Sequence, residues 1–393
     1  MKSAGIVCEC NPFHEGHRHL VTQARRDNDA VVCVMSGYFT QRGEVAIADP
    51  YARAEALIAG GADLVLELPF PYSCAGAESF ASAGISILSR FGADELWFGS
   101  ECGDLSRLRT AAEIAQSEAF LASYTKTAAD SAGTAQAFFK LLQASCPEGE
   151  QFGSNDALAI SYLCALNRQN SSMRPVTVKR EGAAYLEETL AAEGFPSATA
   201  LRRLLSEGLD RAAPHLLPET HEALNTAARN GTFPAALSFA ERAILHTLRQ
   251  AEPSSLDSIA ELGGGLGNRL IDAACRATTL EELLELAATK KYPLSRIRRG
   301  ILFAMTGAEK HALTVPPAYT RILASNGRGR LLLAEKRRSC AIPLLARRAE
   351  LPFEEAAAEQ ERLHRRMLSF YTLCLRSAAP AHALLRKNPT ILK

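Results

Sequence analysis

The sequence predicts an α/β protein: a parallel sheet with helices over residues 1–208, followed by an all-helical part over residues 209–393. Three observations carry this expectation. Through the first 180 residues, short unbroken apolar runs alternate with stretches of helical periodicity. Strands buried on both faces of a parallel sheet read as such runs, and their alternation with helices is the pattern of an open α/β sheet. The first run leads straight into a glycine-bearing turn, and after about Asp210 the strand signal disappears.

Taken in order, the strands are expected at Ala4–Cys8, Ala30–Met35, Asp63–Leu68, Glu95–Phe98 and Val176–Lys179. Helical patterns lie between them at Gly16–Arg26, Pro50–Ala59, Ala77–Arg90 and Asp156–Leu166. Asp49-Pro50 reads as a cap followed by a first-turn proline, and Gly60-Gly61 as the stop of that helix. A further helix is expected over Ser197–Glu207, with Ser197 as cap and Gly208 as stop. Beyond it, helices alternate with turns such as Pro253, Gly263–Gly265 and Pro316–Pro317.

Composition narrows the class of protein. Apolar residues make up 47%, enough for a full globular core, and no apolar run reaches the length of a membrane span. The start of the chain lacks the features of a secretory leader. The 10 cysteines include no Cys-x-x-Cys pair, and several sit inside apolar runs, so buried free thiols in a reducing cytoplasm are expected. The net charge of +1 hides an uneven distribution: from Lys290 to Arg348 basic residues greatly outnumber Glu309 and Glu335. Within that segment Arg296, Arg298, Arg299, Arg328 and Arg330 are the candidate contacts to a polyanion such as RNA, against the plainer reading of a solvated helix face.

The strongest chemical signal is Glu9-Cys10-Asn11-Pro12-Phe13-His14-Glu15-Gly16-His17, placed between the first strand and the first helix. Ligands of open parallel sheets sit beyond the carboxyl ends of strands, and a helix N-terminus there offers free N–H groups to a phosphate. His14 and His17, three apart, share one helix face, and Gly16 lets a phosphate approach the backbone. Two imidazoles so placed can donate hydrogen bonds to an α-phosphate as pyrophosphate leaves. A bare pair of histidines would be read as surface residues. The preceding strand, the glycine and Asn-Pro-Phe favour nucleotide binding instead.

Other segments carry weaker signals. Ser36-Gly37-Tyr38-Phe39-Thr40-Gln41-Arg42-Gly43-Glu44 follows the second strand and either lines a substrate pocket, with Ser36, Gly37, Gln41 and Arg42 facing it, or is a mobile connection. Gly99 ends the fourth strand and permits close approach of an adenosine, or merely closes a turn. Asn155 caps a helix or meets the nucleotide. Lys179-Arg180, followed by Glu181-Gly182, offers two cations at a strand end. Ser197 and Arg202 open a helix in a way that suits a phosphate.

With Asn-Pro-Phe-His-x-Gly-His after its first strand, the chain resembles the HIGH-type nucleotidyltransferases, and more closely the bacterial tRNA(Met) cytidine acetate ligase family. The resemblance extends over Gly5–His17, Met35–Gly43, Ala62–Pro69, Phe98–Glu101, Asn155–Leu166, Lys179–Tyr185, Ser197–Arg202, Tyr292–Leu302 and Tyr319–Leu333. It implies a Rossmann-like catalytic domain over 1–208 and a tRNA-gripping helical domain over 209–393. It implies that acetate attacks ATP to give acetyl-adenylate, with magnesium accompanying ATP, and that the acetyl group passes to the wobble cytidine of elongator tRNA(Met). By position, Val7, Asn11, Pro12, Phe13, His14, Gly16, His17 and Leu20, together with Gly99, Asn155, Lys179 and Arg180, would hold ATP, and His14 and His17 would be catalytic. The chain departs from the family pattern at Glu15, often a neutral residue there, and at Cys10, often aromatic. The residues alone leave two alternatives: a nucleotidyltransferase acting on a small phosphorylated metabolite, and a non-catalytic RNA-binding protein.

Overall fold

The structure, a computed structural model, describes residues 1–131, 135–146, 151–180, 197–347, 350–385 and 387–392. Glu181-Gly182 and Arg348 lie outside them. Five parallel strands, β1 (Ser3–Cys8), β2 (Ala30–Ser36), β3 (Leu64–Leu68), β4 (Glu95–Ser100) and β5 (Arg174–Lys179), run in the order β5-β4-β1-β2-β3. The chain moves outward from β1 to β3, then returns to the other side of β1 for β4. That reversal opens a crevice beyond the carboxyl ends of β1 and β4.

Helices α1 (Glu15–Asp27), α2 (Pro50–Ala59), α3 (Ala77–Phe91), α4 (Leu105–Gln116), α5 (Glu118–Ser131), α6 (Ala135–Ser145) and α7 (Ser154–Arg168) fill the crossovers. Asp49 caps α2 ahead of Pro50, and Gly60 closes it. Helix α8 (Ala198–Glu207) takes Ser197 as its cap, the hydroxyl accepting the N–H of Ala200, and stops at Gly208. The β1–β4 residues are almost all buried, whereas edge strand β5 is half-exposed.

The strand-free reading of the chain after Asp210 is corrected by the structure. Strand β6 (Thr320–Ser325) pairs antiparallel with β3, and the short β7 (Leu344–Leu345) and β8 (Thr390–Ile391) pair with β6, giving an eight-stranded sheet. Thr-Arg-Ile-Leu-Ala-Ser is short, and its arginine breaks the apolar run. Arg321 is nevertheless largely covered there, because Glu361 supplies its counter-charge and Glu67 Oε2 lies 3.6 Å from its Nε.

The rest of the second half is helical. Its core gathers Leu245, Leu266, Ile297, Ile301, Phe303 and Tyr371, and includes Tyr38, Phe39, Val45 and Phe70 from the first half. Phe39 is fully buried, with its ring 6.2 Å from Phe70 and 6.2 Å from Phe370. The segment after β2 is therefore a plug seated in the helical core, not a loose connection.

Candidate active site

The histidine turn leaves β1 through Cys10, which holds a left-handed φ of 46°, and enters α1 at Glu15. His14 is the helix cap: its Nδ1 accepts the N–H of Gly16 at 3.0 Å. Because Nδ1 is the acceptor, the neutral ring carries its proton on Nε2, where it can donate. The His14 and His17 rings lie 4.1 Å apart. Burial, then the charges of Arg180 and Arg202, push the His14 pKa down to about 3. Burial, His14 and Arg180 push His17 well below the ordinary histidine value. Both rings are therefore neutral near pH 7. His17 Nδ1 is buried with no hydrogen-bond partner among the described residues, the mark of a polar site awaiting a ligand.

The remaining residues of the turn divide by role. Asn11 is buried and its Oδ1 accepts the N–H of Ile47 at 2.8 Å, while its Nδ2 lacks a partner among the described residues. Phe13 packs into the space left by Gly60, where any Cβ would overlap the ring. Val7 packs against Gly84 of α3, Leu20 lines the core beneath α1, and Pro12 is buried. These four side chains shape the turn from behind. Glu15 meets Arg18 at 3.7 Å and shares it with Glu219, which pairs with the same guanidinium at 2.7 Å.

Across the crevice, Gly99 lies beneath the stem of Arg180, whose Cγ would stand 3.2 Å from an added Cβ. Arg180 N–H bonds Ser100 O at 2.9 Å, which fixes the chain after β5 beside β4. Lys179 crowds Gly103 instead. Glu101 accepts Asn155 N at 3.0 Å, Asn155 Nδ2 at 2.6 Å and Asp156 N at 2.7 Å. Glu101 thus closes the N-terminus of α7, and Asn155 is fixed by a carboxylate while Gly153 takes the cap position. Arg202 reaches back from α8 to donate to Asn11 O at 3.1 Å.

The plug after β2 is held at its root by Arg53, a buried arginine of α2. Its guanidinium donates to Ala48 O at 3.0 Å, Glu9 O at 2.6 Å, Ser36 O at 2.8 Å and Gly37 O. Gln41 N–H bonds the Glu9 carboxylate at 2.8 Å. Burial raises the pKa of Glu9. Ser36 Oγ is buried without a partner among the described residues. An added Cβ on Gly37 would stand 2.5 Å from Glu67 Oε1. Arg42 lies half-buried in the same segment. Sequence reasoning missed Arg53, although a single arginine among the Ala, Leu and Ile of a buried helix was the available signal.

The basic segment is not one surface. Arg296 donates to Glu261 O and Gly263 O, and Arg299 pairs with the Glu261 carboxylate at 3.0 Å; their side chains are 19% and 12% exposed. Both guanidinium groups are thus engaged within the protein, by backbone carbonyls and by the Glu261 carboxylate. Arg298, 30% exposed, pairs with Glu44 at 3.4 Å. The compensating acids come from distant segments, so a count along the chain could not see them. Arg328 and Arg330 are exposed, on a helix (Gly327–Lys336) that starts where Asn326 N–H bonds Asp63 O. That is the amino edge of the sheet, with Ser325 opposite Leu64. The structure therefore does not bring these two arginines together with the histidine turn.

A parallel sheet of this order, with a histidine pair at the start of the first helix at the switch point, defines the class of HIGH-type nucleotidyltransferases, and the HIGH Nucleotidyl Transferase family model matches residues 1–383. The chain is 34% identical over 338 residues to a tRNA(Met) cytidine acetate ligase of Caldicellulosiruptor bescii, covering 84% of each. It is 32% identical over 396 residues to one of Caldanaerobacter subterraneus, covering 96% of this chain and 97% of the relative. Two crystal structures of Thermotoga maritima TmcAL, 28% identical, superpose over the full length of both chains. The TM-scores are 0.92 for the apo form and 0.89 for the form bound with alpha-thio ATP. The chain belongs to the tRNA(Met) cytidine acetate ligase family and is an enzyme of that family.

Proposed function

We propose that this enzyme joins acetate to ATP, releasing pyrophosphate and forming acetyl-adenylate, and then transfers the acetyl group to the N4 amine of the wobble cytidine in elongator tRNA(Met), releasing AMP. The observation that carries the first step is the pair of neutral imidazoles, 4.1 Å apart at a helix N-terminus, with His14 presenting Nε2–H. As acetate attacks the α-phosphate, charge grows on its oxygens. Donors already fixed there stabilise that charge without reorganisation. Arg180 and Arg202, close enough to depress His14, face the same phosphates, with Lys179 and Ser197 at the rim. Asn155 and Gly99 flank the nucleoside across the crevice. Ser36, Gly37, Gln41 and Arg42 line the side from which acid and acceptor enter.

Magnesium enters as the ATP complex. Among the described residues no three His, Cys, Asp or Glu side chains gather as a metal cluster, and a magnesium ion bound mainly by phosphates and water needs only one or two carboxylates. No helix among the described residues is long and apolar enough to cross a membrane. The tRNA is proposed to lie along residues 209–393, with Arg298, Arg328 and Arg330 meeting its phosphates. The test is ATP–pyrophosphate exchange with acetate, with and without tRNA. Acetate-dependent exchange without tRNA is expected. Its absence with any short acid would favour a metabolite nucleotidyltransferase or a non-catalytic RNA binder.

A further inference from the structure

One carboxylate joins the nucleotide side of the crevice to the helical side. Glu44 Oε2 lies 3.2 Å from Arg202 Nη2, and Glu44 Oε1 lies 3.4 Å from Arg298 Nη1. Arg202 in turn donates to Asn11 O in the histidine turn at 3.1 Å, and to Thr199 Oγ1 at 3.2 Å. Arg298 belongs to the helix Leu294–Thr306 of the second half.

The backbone holds Glu44 in this place. Thr40 N–H bonds Glu44 O at 3.0 Å and Gly43 N–H bonds Thr40 O at 2.9 Å, closing a tight turn. Gly43 adopts a left-handed φ of 75° and lies against the Arg298–Arg299 backbone, where an added Cβ would stand 2.6 Å from Arg299 N. Arg299 bonds Gln41 O at 3.4 Å on the other side of the turn. The backbone that carries Glu44 therefore cannot move away from either arginine without moving the plug.

We propose that Glu44 is a positioning residue for adenylation: it fixes the Arg202 guanidinium beside His14, and ties that placement to Arg298 on the acceptor side. This rests on the reading that Arg202 faces the triphosphate. An arginine has many rotamers, and its charge stabilises a transition state only where it is already aimed. Glu44, Thr199 Oγ1 and Asn11 O aim it. Glu44 is itself an anion near the triphosphate, so replacing it with a neutral isostere removes a repulsion from ATP binding while loosening Arg202. The two effects act on different kinetic constants.

The experiment uses the full chain carrying Glu44→Gln, Arg202→Gln or both, with Glu44→Asp as a fourth variant. Exchange kinetics are measured with acetate and magnesium-ATP, beside thermal unfolding. For Glu44→Gln the exchange kcat falls on the order of ten-fold, as misplacement of a catalytic group predicts, while the KM for ATP does not rise. The double variant is no slower than Arg202→Gln alone, because Glu44 acts through Arg202. Glu44→Asp recovers part of the loss.

An unchanged kcat, a rise in KM equal to the loss in kcat/KM, or additive single effects would overturn the proposal. So would a collapse of melting temperature in both Glu44 variants, which would make the residue merely structural. Exchange that is normal in every variant sinks this inference alone. Absence of exchange in the unsubstituted protein sinks the underlying reading as well.

Discussion

His14 Nδ1 accepts the N–H of Gly16 at 3.0 Å, so one side chain both caps α1 and fixes which of its nitrogens faces the crevice. The two roles separate by substitution. In His14→Asn the amide oxygen can still cap the helix, but the Nε2 donor is gone. Acetate-dependent pyrophosphate exchange is expected to fall roughly 10²–10³-fold, the usual loss of one preorganised donor. His17→Ala loses a comparable amount. Melting temperature in His14→Asn stays within a few degrees, and unchanged exchange in both variants would remove the histidines from the chemistry.

Protonation of these rings shapes stability in acid. His14 has a folded pKa of about 3, and His17 also lies far below its ordinary value. Below about pH 6.5 the unfolded chain takes up protons at both sites and the folded protein does not. Stability is therefore full above pH 6.5 and declines as pH falls from there towards the depressed folded values. His14→Asn should flatten that decline between pH 6.5 and pH 4.5 in chemical denaturation. An identical slope in the variant would contradict the neutral ring.

The arginines of the second half divide into two kinds with opposite expected phenotypes. Arg299→Glu places a second carboxylate against Glu261, which sits at φ 66° with its side chain 17% exposed. This variant should lower the melting temperature and lose exchange even without tRNA. Arg328→Glu with Arg330→Glu acts on an exposed helix at the amino edge. It should leave melting and exchange intact, raise the KM for tRNA, and reduce the salt dependence of tRNA binding by about two charges. Equal tRNA affinity at all salt concentrations would take this edge out of the RNA interface.

The first half was legible because its signals are local. Unbroken apolar runs, the Asp49-Pro50 cap and Gly208 each report on their own neighbourhood, and the structure places them where the pattern did. The histidine turn was legible for the same reason. Relations between distant segments were not. Strand β6 was hidden because Arg321, polar in sequence, is paired with Glu361 and lies against Glu67, 40 and 254 positions away. Arg296 and Arg299 looked unpaired because their partner, Glu261, lies outside the basic segment. The plug after β2 looked like a polar loop, yet Tyr38 and Phe39 anchor it in a core that only the fold assembles.

The same buried charges yield a last expectation. Burial pushes the Glu67 carboxyl up to about 7, against the pull of Arg321, and its Oε1 has no partner among the described residues. The folded protein thus holds a proton on Glu67 that the unfolded chain releases near pH 4.3. Its contribution to stability is present below that pH and is lost as pH rises through 7. Glu67→Gln fixes the neutral form. Relative to the unsubstituted protein, this variant should gain stability between pH 5 and pH 8, read from denaturant midpoints at each pH. Because Glu67 crowds Gly37 and lies beside Arg321, a parallel loss of exchange activity would show that its placement also matters to the plug. A stability difference that does not change with pH would mean that Glu67 is ionised throughout, held so by Arg321.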